Sequence, residues 1–90
     1  MAEIAVAEIK NELGLHARAA AQFVQTANKF KAEVTVSKDG EEVNGKSILS
    51  LMMLAAPIGS EITITTEGDD AEELLHTLLT LIDSKFGEPK

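Results

Sequence analysis

His16 and Arg18 stand two residues apart in Gly14-Leu15-His16-Ala17-Arg18, where an N-terminal strand pattern gives way to a helical one. Arg18 is the only arginine of the chain, and His16 is one of two histidines. A neutral imidazole is a nucleophile that can carry a phosphoryl group. A helix start offers unpaired backbone N–H groups and the positive end of the dipole, which suit a phosphate. A guanidinium adds a planar, permanent, bidentate phosphate partner. Together these types predict a phosphohistidine site; the plainer alternative is a pair of solvated surface side chains. His76 is the internal control. Its neighbours at helical spacing are Glu72, Glu73, Thr80 and Asp83, so it falls on a solvated face with no chemistry assigned.

Two further segments carry chemical letters. Gly40-Glu41-Glu42-Val43-Asn44-Gly45-Lys46-Ser47 spells a P-loop. That motif works only between a buried parallel strand and a long helix. Here Asp39-Gly40 is a hairpin signal, residues 41–44 read as a strand, and Glu41 and Glu42 would face a triphosphate with like charge. Nucleotide binding is therefore the weaker reading. The second segment runs from Ser47 to about Leu54, a short helix that Ser47 can cap. It is apolar on nearly all sides. Ile48, Leu51 and Leu54/Ala55 make one stripe, and Leu49, Met52 and Met53 make another. A short helix on a sheet buries one stripe, so the surplus is either a docking surface or part of a fully enclosed helix.

The elements that must position these residues follow from periodicity. Glu3 to Ile9 reads as a strand whose facing is ambiguous, since Ala5 and Ala7 fill the gaps between Ile4, Val6 and Ile9. Ala20, Phe23, Val24 and Ala27 mark one face of a helix over 17–28. Ala32, Val34 and Val36 alternate with polar residues in a half-buried strand, and Glu41 to Asn44 returns from the hairpin. Pro57 and Gly59 close the second helix, and Ile62 and Ile64 alternate with Thr63 and Thr65 in a fourth strand. Asp70 and Glu73 read as a capping box for a last helix that buries Ala71, Leu74, Leu75, Leu78, Leu81 and Ile82. The order β-α-β-β-α-β-α predicts an α+β open-faced two-layer sandwich. Its four-stranded, mainly antiparallel sheet carries three helices on one face and leaves the other wet.

Ninety residues make a single domain, 1–90, with an aliphatic core, since Trp and Tyr are absent and Phe occurs three times. Without cysteine there is no disulfide or thiolate metal site; neither metal nor cofactor is expected. No apolar run spans a membrane, and Met1-Ala2-Glu3 carries no basic signal region, which predicts a cytoplasmic protein. A net charge of −7 disfavours nucleic acid and favours basic protein partners.

The chain resembles the histidine-containing phosphocarrier (HPr) family of the bacterial phosphoenolpyruvate-dependent phosphotransferase system. The motifs are Asn11-Glu12-Leu13-Gly14-Leu15-His16-Ala17-Arg18 and Asn44-Gly45-Lys46-Ser47-Ile48, at matching separation and element order, and the likeness extends to the Phe86-Gly87 tail. It implies that His16 accepts a phosphoryl group on Nδ1 and that Arg18 contacts that group and the partner. It implies that Ser47 is the site of a regulatory serine kinase. Ala17, Ile48, Leu49 and Met52 would form the patch that meets enzyme I and IIA-type proteins, with the carrier acting as a monomer. Residues 8–14 and the Phe86-Gly87-Glu88 tail are similar to proteobacterial members, including the nitrogen-related branch, so a purely regulatory binding module with no part in sugar transport is the alternative role. One position departs from the family pattern. Ala19 stands where proline usually follows the arginine, a change that keeps a good helix former and restores an N–H.

Overall fold

The computed structural model describes all residues, Met1–Lys90. Strand β1 is Ala2–Glu8, α1 Ala17–Ala27, β2 Glu33–Lys38, β3 Glu41–Asn44, α2 Ile48–Met53, β4 Glu61–Glu67 and α3 Ala71–Asp83, with a 3₁₀ turn at Lys85–Gly87. The sheet order is β1-β4-β2-β3, and every pairing is antiparallel. The expected open-faced sandwich is therefore the fold observed.

The β2–β3 hairpin closes through Asp39 (φ 53°) and Gly40 (φ 86°), with Lys38 opposite Glu41. Two adjacent left-handed residues match the right-handed twist of the strands they join. Inward positions Val34, Val36, Ile62 and Ile64 are buried beneath the helices together with Phe23, Leu51, Leu74, Leu78 and Ile82. Removing one such large aliphatic side chain from water stabilises the fold by about 1.5–3 kcal/mol.

Strand β1 settles its facing against the larger residues. Ala5 and Ala7 lie opposite Ile64 and Ile62 on the helix side, while Ile4 and Val6 lie opposite Thr65 and Thr63 on the open face, 68% and 61% exposed. The alanines leave room for α3 to approach β1, where Leu79 and Ile82 pack.

Three local expectations are corrected. Asp70 stands at the N-cap of α3 but forms no capping hydrogen bond. Its carboxylate instead accepts from the backbone N–H groups of Lys31 (2.9 Å) and Ala32 (2.8 Å), tying the entry to β2 to the start of α3. Leu81 is only partly buried. Within α2 only Leu51 is buried, joined by Leu54 just past its end, whereas Ile48 and Ala55 are exposed and leave the predicted inward stripe. Six residues make fewer than two turns, so only the middle of the helix meets the core.

Candidate phosphoryl-acceptor site

The loop from Ile9 to His16 is built by backbone pairing to the segment after α2. Ile9 N–H donates to Ser60 O at 2.9 Å, Gly59 N–H to Ile9 O at 2.8 Å, and Leu15 N–H to Ala56 O at 2.9 Å. Gly14 turns the chain with φ +69°, pressed so closely on Ala56 that a Cβ would lie 2.5 Å from its carbonyl oxygen. Leu15 then enters the core, and His16 is left at the helix start.

His16 is the N-cap of α1, with extended backbone (φ −79°, ψ −178°). Nδ1 accepts from the Arg18 backbone N–H at 3.3 Å, and Nε2 lies 2.5 Å from Glu88 Oε2. A carboxylate only accepts and a backbone N–H only donates, so the neutral ring carries its hydrogen on Nε2 and keeps the Nδ1 lone pair. That lone pair faces the N-terminal N–H groups of α1. Ala19 is fully buried, and α1 begins at Ala17 with it in place.

Behind the ring stands a relay of hydrogen bonds. The Glu88 side chain is 9% exposed against 27% for His16. Its second oxygen accepts from Asn11 Nδ2 at 3.0 Å, and the same amide donates to Gly14 O at 2.8 Å. Asn11 is fully buried, and its Oδ1 has no partner. Burial alone would raise the Glu88 carboxyl. Hydrogen bonds from Asn11 and His16, with the nearby charge of Arg18, outweigh that and hold it below its usual value.

Arg18 is exposed, with no carboxylate at ion-pair distance. It shares with His16, Glu12, Glu88 and Lys90 an open cleft of about 550 Å³. On its other side His16 borders a shallow apolar cleft of about 370 Å³, with Leu13, Ala17 and Met52 among its lining. The exposed residues Leu13, Ile48, Leu49, Met52 and Met53 extend that apolar surface along α2. The structure thus brings His16, Ala17, Arg18 and Met52 together. It does not bring Ser47 to them: Ser47 caps the opposite end of α2, its Oγ accepting from Ser50 N–H at 3.2 Å.

The P-loop letters acquire other duties. Residues 41–44 are a strand, and Lys46 Nζ donates to Phe30 O at 2.9 Å beyond the end of α1. His76 is exposed on α3, as its spacing predicts. No helix is long and apolar enough to cross a membrane. Asn11 and Glu88 are the site residues that sequence reasoning missed as partners of His16. Glu88 lies 72 positions from His16, and only the tertiary fold joins them.

Residues 5–84 match the family described as "PTS HPr component phosphorylation site". The chain is 54% identical over 81 residues to the phosphocarrier protein HPr of Neisseria meningitidis serogroup A, covering 90% of this chain and 91% of that one. It is 49% identical over 78 residues to the HPr-like protein Crh of Halalkalibacterium halodurans, covering 87% and 93%. The crystal structure of HPr-C-His from Thermoanaerobacter tengcongensis superposes with a TM-score of 0.94 at 49% identity, covering 98% of this chain and 99% of that one. The chain therefore belongs to the HPr family of the phosphotransferase system, phosphocarrier proteins rather than enzymes.

Proposed function

We propose that His16 accepts a phosphoryl group on Nδ1 from the phosphohistidine of enzyme I and passes it to IIA-type proteins. The observation that carries this reading is the ring's hydrogen-bond pattern, with Nε2–H held by Glu88 and the Nδ1 lone pair turned toward Arg18 N–H. Transfer needs little of the protein beyond placement and charge stabilisation. As Nδ1 bonds to phosphorus, the Arg18 N–H gives up the ring and becomes free for a phosphate oxygen. The exposed guanidinium of Arg18 supplies a second, reversible contact. The apolar surface of Ala17, Ile48, Leu49 and Met52 beside the ring is where the partner proteins dock. In this reading the carrier works as a monomer in the cytoplasm. Ser47, at the far end of the same surface, is a regulatory phosphorylation site for a serine kinase.

The likeness to the HPr-like protein Crh supports a second role for the same residues, phosphorylation-dependent docking with no part in sugar transport. Intact mass after incubation with phosphoenolpyruvate and enzyme I tests the carrier reading. One acid-labile phosphoryl addition, absent in His16→Ala, is expected. No addition from an enzyme I that loads another carrier would move the docking role to first place.

A further inference from the structure

We propose that Glu88 is a positioning residue for phosphoryl transfer, whose carboxylate holds Nε2–H of His16 and stabilises the positive ring formed when Nδ1 takes the phosphoryl group. The inference rests on reading His16 as the acceptor.

Three features converge on it. The carboxylate meets the ring nitrogen at 2.5 Å and is nearly enclosed, 9% exposed. Its other oxygen is held by Asn11, itself fully buried and anchored to Gly14 O. The chain also takes an unusual path to bring Glu88 there. Lys85 (φ 61°), Phe86 (φ 55°) and Gly87 (φ 74°) are three successive left-handed residues. Two of them carry side chains, and such backbone persists only where its surroundings over-determine it. Burial of Phe86 on one side of Glu88, and the bond from Glu12 N–H to Lys90 O (3.0 Å) on the other, supply that constraint. A tail that merely covered the loop would gain nothing from enclosing a charge, since a buried carboxylate costs free energy that a neutral amide does not.

The charge has a use in the transfer itself. The Nδ1 lone pair forms a bond to phosphorus as the bond from phosphorus to the donor imidazole breaks, and that bond's electron pair returns to the donor. No proton leaves His16. Nε2 keeps its hydrogen, the ring becomes positive, and that charge faces Glu88, as a carboxylate behind a catalytic imidazole stabilises imidazolium elsewhere. The protonated ring is also the better leaving group, so Glu88 keeps the phosphoryl group transferable. Glu12, Arg18 and Lys90 line the same cleft, but Glu88 alone brings a side chain into hydrogen-bond contact with the ring.

The test compares the full chain with Glu88→Gln and Glu88→Ala, each checked for folding by thermal melting. The rate of loading from phosphorylated enzyme I and the pH profile of onward transfer are then measured. We expect both variants to load roughly tenfold more slowly, as befits loss of a hydrogen bond to a charged group. Onward transfer should fall off at lower pH than in the parent, because the phosphorylated ring would release its Nε2 proton more readily. Folded variants with unchanged rates and an unchanged profile would overturn the inference. Full rescue by Gln would overturn it as well, since placement without charge would then suffice; should Glu88→Ala soften the fold, the near-isosteric Gln variant decides. Failure of the parent chain to load on His16 would sink the carrier reading itself, and is seen before any Glu88 variant is compared.

Discussion

Gly14 carries a constraint that no other residue can meet. Its φ of +69° disfavours any side chain, and a Cβ would press on Ala56 O at 2.5 Å. The surrounding bonds from Leu15 to Ala56 and from Asn11 to Gly14 O leave the backbone little room to yield. Gly14→Ala should cost about 2–3 kcal/mol, combining left-handed strain with displacement of a packed segment. In a domain of this size that lowers Tm by roughly 10–20 °C, and a melting curve within two degrees of the parent would refute the account. The helix start that carries His16 and Arg18 is legible in the sequence, because it rests on residue types within one short motif; the left-handed turn at Gly14 is seen only in the fold. Asn11 and Glu88 were not legible as partners of the ring. Asn11 is one amide among several in a loop, and Glu88 reaches the ring only because Phe86 is buried and the chain turns left-handed behind it.

At the scale of elements, α2 links capping to partner choice. Ser47 caps the helix through its side chain, and Ile48, Leu49, Met52 and Met53 are left outside. An aspartate caps a helix as well as a serine, and its charge suits the positive dipole end. Ser47→Asp should therefore leave Tm unchanged or slightly raised, while slowing phosphoryl loading from enzyme I by setting a negative charge against an acidic partner surface that faces Leu49 and Met52. Stopped-flow or quenched-flow loading at low and moderate salt checks this. Equal rates for parent and variant at low salt would separate Ser47 from the docking surface. Element type and order were readable because strand alternation and helical spacing survive in ninety residues with clear turn signals. Facing was harder. In β1 two alanines lie inward and Ile4 and Val6 outward, because the close pass of α3 selects for small size over hydrophobicity. Around α2 the spacing alone fits two readings of the apolar surplus, and burial sets Leu51 and Leu54 inside and Ile48 outside. For Asp70 the letters of a capping box were present, yet the carboxylate found better donors across the fold in Lys31 and Ala32.

For the molecule as a whole, charge sets the response to pH. Asp70 is held below the usual carboxylate range chiefly by the Lys31 N–H, with burial opposing and the Ala32 N–H assisting. Asp83 is held low by its hydrogen bond from Lys10, whose own value is raised by the same contact. A carboxyl whose folded value lies below its unfolded one stabilises the fold at pH above the unfolded value, and that contribution is lost as pH falls through the folded value. The unfolded reference for Asp is 3.8, so the loss falls in the acid range below it. An opposing effect operates at higher pH. The chain carries −7 with a pI near 4.7, and lowering pH from neutrality toward that point relieves self-repulsion. Stability should thus rise modestly from pH 7 toward pH 5 and then decline steeply below about pH 4. Salt separates the two contributions, since it screens diffuse repulsion and leaves the short bonds to Asp70 largely intact. Urea midpoints at pH 7, 5 and 3 for the parent, Asp70→Asn and Asp83→Asn test the assignment. Asp70→Asn should lower the midpoint at pH 7 and flatten the decline between pH 5 and 3. Asp83→Asn should change little, because the Lys10–Asp83 pair is 45% and 70% exposed and such pairs contribute weakly. An acid decline that is as steep in Asp70→Asn as in the parent would place the acid-sensitive contact elsewhere, with Glu88 behind the His16 ring the next carboxylate to replace.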